Sequence, residues 1–435
     1  MRLEVAEFPV TQIYLGDRFS YRAGTLEVDP KELISLVRQD QRIKDAELAV
    51  ALPGEKVRIT GIRDIVEPRV KVQGNAEVFP GILGPLLPVG TARTHRLPGM
   101  AVVATAEYEG IIRAGTGVQR SAILDMWGPG AETSRFSSRL NLVLVLRLAP
   151  GLAELDAHTA IQRAEYEVAR TIARTTEDLD PVEMKTYDIA VKNPALPRVL
   201  LIQCCLTESH QVHSGISYYG LPVRESLATF VHPNELMDGA VAGDMVRSGR
   251  GYYPTSWDWQ NHPLSFGLYN AHGKELNYAG VILERIRFET FHGKEVIALN
   301  TAQLAQALQA DAILITWLGG GNAFVDVMLT IQACERRGIR SVLVTYELGG
   351  KEGADLPLLY YVPEADAVIS TGTRDRTLNL PAAEKVVGPY DEITVLSYPG
   401  SPPVSAHGAI TIDARDNIIG GVDIWGGEGW TCKAH

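Results

Sequence analysis

The chain has 435 residues, 46% of them hydrophobic and 21% charged, which is the composition of an ordinary globular protein. That length calls for about two or three domains rather than one core. A net charge of -11 argues against the basic footprint by which proteins hold nucleic acid, and no run approaches the roughly 18 apolar residues of a membrane span.

The four cysteines, Cys204, Cys205, Cys334 and Cys432, follow neither a disulfide framework nor a CxxC zinc pattern. The first residues, MRLEVAEFPVTQIYL, carry scattered charges and no apolar run of the signal-peptide kind. A reducing, cytoplasmic setting is therefore expected.

Residues 1 to 150 read as mostly strand, because EKVRITGI, EPRVKV, MAVVATAEYEG and LNLVLVLRL are β-branched runs bounded by turn residues. One early helix is well signed: Asp29 suits the cap, Pro30 the first helical position, and Glu32 follows before the LISLV run. The proline- and glycine-rich stretch at 79–90 and DMWGPGAETSRFS at 125–137 both read as loop, the second holding Trp127. From Gly151 to Arg174 the residues are good helix formers. TTEDLDPVEMKTYDIAVKNPALP then breaks the pattern, which divides the chain into a β-rich domain at 1–190 and a second domain at 191–435.

In the second half, strands and helices alternate. RVLLIQCCL, AGVILERI, DAILITWL, IRSVLVTYEL and ADAVISTG read as strands, with helices through TAQLAQALQ and from Asn322 to Arg336. The fold class expected is a C-terminal α/β domain with a largely parallel sheet, preceded by a β-rich α+β domain. Between the first two of these strands lies residues 232–263, HPNELMDGAVAGDMVRSGRGYYPTSWDWQNHP, with neither helical nor strand periodicity. A long irregular segment this aromatic is expected to wall a site.

Ligands of parallel α/β sheets bind beyond the carboxyl ends of the strands. The first strand end carries Cys204, Cys205, Glu208, His210 and His213. Glu208, His210 and His213 are a candidate divalent-metal set, and the histidines are equally candidates for acid–base work. For the cysteines, packing is the plainer reading, with Cys204 kept as a candidate catalytic thiol. The second end, Gly319, Gly320, Gly321 and Asn322, offers free N–H groups at a helix start to a phosphate or a carboxylate. The third places Glu347 just beyond a strand, as a base or an amine-binding group.

Taken together, PGEKVRITGIRDIVEPRVKV, VFPGILG, DMWGPGAETSRFS, HPNELMDGAVAGD, HGKELNYAGVIL, GGGNAFVD and VTYELGGKEGAD resemble the α/β-subunit proprotein of component B of the glycine, sarcosine and betaine reductases. The resemblance runs in order along nearly the whole chain. It implies a thiol- or selenol-bearing second subunit and cleavage of a C–N bond in a small carboxylate substrate, hence an oxidoreductase of amino acid metabolism working as a hetero- or homo-oligomer. In that family the stretch matching Ala242-Gly243-Asp244-Met245 carries Asn-Cys, and the chain is cut before the cysteine, which becomes a pyruvoyl group. Here the pair reads Asp244-Met245. A thioether cannot attack the preceding carbonyl, and Arg247-Ser248 does not match the processing site. An intact chain without a pyruvoyl group is expected.

Without that electrophile, substrate must be held by hydrogen bonds, charge or a metal. The expected binding residues are Gly320, Gly321, Asn322, Asp238, Trp257, Trp259 and His262, with Tyr252, Tyr253 and the two tryptophans as an aromatic box for a quaternary amine. His213, Glu347, His210 and Cys204 are the expected catalytic groups. Two other readings stand beside this one: a metal-dependent hydrolase or lyase built on Glu208, His210 and His213, and a substrate-binding subunit that leaves catalysis to its partner.

Overall fold

A computed structural model describes residues 1–107, 122–206, 216–243, 254–287, 289–319, 321–347, 360–393 and 402–427. The fold is mixed α/β, built on several sheets. In the first half, Ala122–Asp125, Val57–Val66, Met100–Glu107, Leu140–Leu148 and Ile43–Ala51 form one sheet in that order, and Lys385–Val387 joins it beside Val57–Val66. Both faces of this sheet are covered. Along Leu140–Leu148 the residues Leu142, Leu144 and Leu146 enter one core while Val143 and Val145 enter another, and Met100–Glu107 alternates in the same way. Double burial explains why these strands read as unbroken apolar runs.

The helix Glu154–Ala173 covers one face, placing Ala157, Ile161, Ala164, Val168 and Ile172 at helical spacing in that core. The early helix forms as expected over Pro30–Val37, with the Asp29 side chain accepting from the N–H groups of Lys31 and Glu32. A four-stranded sheet, Glu183–Tyr187, Leu3–Glu7, Ala92–Arg96 and Arg69–Lys71, lies beside it. Its outer strand Glu183–Tyr187 falls where the sequence suggests only a break. The stretch at 125–137 also differs from its reading as loop, because Pro129 starts a short helix over Gly128–Thr133.

In the second half one sheet runs Ala228–Val231, Asn277–Ile286, Arg198–Leu206, Ala312–Leu318, Arg340–Glu347 and Val368–Thr373. All neighbours are parallel except the edge strand Ala228–Val231. Counted along the chain, the parallel strands lie in the order 2-1-3-4-5, so the direction of winding reverses between Arg198–Leu206 and Ala312–Leu318. The helices Phe291–Ala307 and Ala323–Glu335 make the connections on either side of Ala312–Leu318 and pack on each other. Gly338, at φ 76°, ends the second as the sequence predicts.

The central segment is more ordered than its lack of periodicity suggests. It holds the helices Pro233–Met237 and Ser256–Gln260, each closed by a capping box (His232 with Glu235, Thr255 with Asp258), a strand Val241–Gly243, and the start of the helix Pro263–Ala271. Elements this short never complete a period that a sequence scan can read.

Candidate functional site

The reversal in strand order is where this sheet type opens a crevice at its carboxyl edge. Leu206 and Leu318 end the two strands that bound it. Glu208, His210 and His213 follow Leu206 and lie outside the described residues, as do Gly320, Asp244, Met245, Tyr252 and Tyr253.

Beyond Leu318 the backbone turns at Gly319 (φ 148°) and Gly321 (φ 58°), values closed to most side chains. Tyr346 fixes the turn by donating its hydroxyl to the Gly319 carbonyl, and its ring stacks on Trp317 at 5.5 Å. Asn322 stands at the N-cap position but is helical and exposed, and its side chain makes no cap bond. The N–H groups of Phe324 and Val325 are taken by the carbonyls of Gly321 and Asn322 at 3.1 Å, so the turn offers fewer free donors than the sequence suggests.

Behind the turn lies a buried polar cluster that sequence reasoning missed. Lys294, near the start of Phe291–Ala307, pairs with Asp326 in the first turn of Ala323–Glu335 and also donates to the Arg287 carbonyl at 2.9 Å. The pair ties together the first turns of the two helices that flank the crevice. Beneath it, Glu284 accepts from Thr330 Oγ1 at 2.8 Å, and burial pushes its carboxyl up to about 8. No motif announces these residues, since each sits in an ordinary helix or strand pattern. Cys204 lies level with Glu284 and is fully buried. Burial and that carboxyl raise its thiol well above the usual range, so it is not poised as a thiolate. Cys205 and Cys334 are raised in the same way. Glu347 ends its strand buried and accepts from Ser370 Oγ at 2.5 Å.

The described residues of the central segment form a seam to the first half. Asp238 accepts from Lys71 Nζ at 2.7 Å, Thr94 Oγ1 at 2.5 Å and the Gly90 N–H at 2.8 Å. Three donors from the first half thus converge on Asp238. Arg69 donates to the carbonyls of Met237 and Gln260, and Arg135 grips Asp258 at 2.7 Å through two bonds. Asp64 accepts from both the N–H and the hydroxyl of Ser256, at 2.8 and 2.5 Å, and from Tyr166 at 3.1 Å; burial raises its carboxyl to about 7. Ser256 in turn accepts the Gly243 N–H at 2.9 Å, while Gln162 donates to the Gly243 carbonyl at 2.8 Å. Gly243 and Ser256 are thus pinned at one point.

Trp257 and Trp259 pack against other side chains. Arg139 lies 4.1 Å over the Trp257 ring, so one of the protein's own cations already uses that face. Trp259 and His262 are buried against Trp425, with the imidazole stacked on its indole at 3.8 Å and its pKa lowered by burial to about 3. Trp425 comes from a glycine-rich tail that gives no periodic signal. Among the described residues, no group of three or more histidines, cysteines or carboxylates is arranged to hold a metal. None of the helices described is long and apolar enough to cross a membrane.

A family model described as glycine/sarcosine/betaine reductase component B subunits matches residues 1–433. The chain is 31% identical over 445 residues to the glycine reductase complex component B subunits alpha and beta of Acetoanaerobium sticklandii, covering all of both chains. It is 32% identical to the sarcosine reductase complex component B subunit alpha of Peptoclostridium acidaminophilum, over 91% of each chain. The betaine reductase complex component B subunit alpha of that organism is 28% identical, over 98% of this chain and 92% of its own. No solved structure matches the chain.

Proposed function

The chain belongs to the family of glycine/sarcosine/betaine reductase component B subunits, and from that premise we propose that it is the substrate-handling subunit of a reductase complex and works without a pyruvoyl group. Its reaction is reductive cleavage of a C–N or other C–heteroatom bond in a small carboxylate. A thiol- or selenol-bearing second subunit accepts the carbon fragment, in a cytoplasmic hetero- or homo-oligomer. We read residues 1–190 and 191–435 as its two domains.

One observation carries the pyruvoyl-free part. At the position where the family pattern has the processed cysteine, this chain has Met245, whose thioether supplies no nucleophile. The hydroxyl of Ser256, beside Gly243, is committed to Asp64 and to the Gly243 N–H. The residues therefore do not fit a pyruvoyl group, and no step is routed through one.

The division of labour proposed is as follows. Cleavage takes place at the carboxyl edge beside the Gly319–Asn322 turn, with His213, His210 and Glu347 as the groups that move protons. The seam through Asp238, Ser256 and Asp258 keeps the central segment in place.

Intact-mass spectrometry tests the first claim. One mass for the whole chain, and no adduct with glycine after borohydride reduction, is expected; two fragments with a carbonyl-reactive terminus overturn it. Amine release from glycine, sarcosine and betaine, measured with the cognate second subunit and a dithiol, tests the second. No release from any of the three overturns it.

A further inference from the structure

A guanidinium carries five N–H donors, and burial without partners is costly, so buried arginines are normally saturated. Two buried arginines here obey that rule, while Arg96 and Arg170 leave Nε without an acceptor. Arg58 holds Asp125 through two bonds of 2.7 and 2.8 Å and reaches the carbonyls of Pro381, Ala406 and Gly408. Arg69 is filled by Glu67, Asn261 and two backbone carbonyls.

Arg285 is unfilled as well, and it stands at the carboxyl edge. Its side chain is 10% exposed, its Nε is fully buried with no acceptor, and no hydrogen bond reaches its guanidinium among the described residues. The ion pair it makes there is a loose one, to Glu289 at 3.8 Å. Glu289 is held more closely by Arg287, at 3.1 Å. Burial, together with Arg287, pushes the Arg285 pKa down, as expected of a cation taken from water without full compensation.

Its position gives the unfilled fork a meaning. Arg285 is the second-last residue of Asn277–Ile286 and lies level with Cys205, which lies level with Leu318. Adjacent strands are about 4.8 Å apart, so the Arg285 and Leu318 backbones stand roughly 10 Å from each other across one intervening strand. Leu318 leads directly into the Gly319–Asn322 turn. Asp326, in the first turn of the helix after it, is close enough to act on Arg285 electrostatically. The buried, unfilled cation and the glycine turn therefore share the carboxyl edge at the switch point.

We propose that Arg285 is the carboxylate-binding residue of this site, taking both oxygens of a small carboxylate in its fork beside the Gly319–Asn322 turn. The planar guanidinium matches a carboxylate in two parallel N–H···O bonds, and the ligand's charge offsets the desolvation that Glu289 leaves uncompensated. This rests on the reading of the substrate as a small carboxylate. It adds which residue selects it.

Isothermal titration calorimetry on the full chain at low salt tests the proposal, with acetate, N,N-dimethylglycine, inorganic phosphate and tetramethylammonium as probes. The native protein is expected to bind both carboxylates and not tetramethylammonium. Arg285→Met should weaken carboxylate binding by about 10- to 100-fold, and Arg285→Lys, which keeps the charge but loses the fork, by about tenfold. Thermal melts without ligand separate this from a structural role. Removing an unfilled buried charge leaves the midpoint unchanged or raises it, whereas removing a structural ion pair lowers it. Equal acetate affinity in native protein and Arg285→Met, binding of phosphate but not of carboxylates, or a lowered ligand-free midpoint in both variants overturns the assignment. Amine release by a complex whose Arg285→Met variant binds carboxylates normally refutes this site and leaves the reductase reading standing. Binding lost in the variant, with no amine released by the native complex, does the reverse.

Discussion

Replacing Glu284 by glutamine should flatten the protein's response to alkaline pH. Glu284 is fully buried on the Asn277–Ile286 strand, its carboxyl held by Thr330 and raised from 4.5 to about 8 by burial. The folded state therefore keeps the proton more tightly than the unfolded chain. The stability this gives is complete below pH 4.5 and is lost as pH rises through 8. A shift of that size, at about 1.4 kcal/mol per unit, amounts to roughly 5 kcal/mol over the window, to be read as a few kcal/mol. Glutamine keeps an acceptor for Thr330 and carries no charge, so Glu284→Gln should match the native protein near pH 5 and exceed it progressively toward pH 9. Urea unfolding of both proteins at pH 5, 7 and 9 measures the difference. Asp64 and Asp326, raised to about 7 and about 6, titrate in the same window, so the comparison must be variant against native rather than pH against pH. Parallel midpoints across the range would show that Glu284 is ionised in the folded state, and the argument from burial would fail.

Lys71→Met strands Asp238 in the interior with only its Thr94 and Gly90 donors, and should cost about 3–5 kcal/mol in urea unfolding. A loss below about 1 kcal/mol would mean that the seam does not depend on the pair. Ser256→Ala removes the link from Asp64 to the Gly243 N–H and should cost about 1–3 kcal/mol by the same assay; an unchanged midpoint refutes that link. Iodoacetamide at pH 8 should leave Cys204, Cys205 and Cys334 unmodified in the native protein, because all three thiols are buried and raised. Peptide mapping that finds Cys204 alkylated before the protein unfolds would restore it as a reactive thiol.

The apolar runs and their turn residues made most long elements legible, because a doubly covered strand needs an apolar residue at every position. The Asp29–Pro30 start and the Gly338 stop were equally open to reading, since each is set by backbone chemistry within a few residues. What escaped is long-range or short. Lys385–Val387 pairs with a strand more than 300 residues earlier, and three residues carry no period. The polar cluster of Glu284, Lys294 and Asp326 is assembled by two helices and a strand, so only the strand order brings it together. The Gly319–Asn322 turn was visible as glycines, but its use of two helical N–H groups was not. Arg285 was hidden for a different reason: a charge inside AGVILERI looks like an edge of the strand until its buried, unbonded Nε is seen.

The single anchoring point at Gly243 and Ser256 also bears on how such proteins diverge. Gly243 and Ser256, 13 residues apart in the sequence, meet at one buried knot against Asp64. Substitutions at Asp244 and Met245 leave untouched the contacts by which Lys71, Arg69 and Arg135 hold the central segment to the first half.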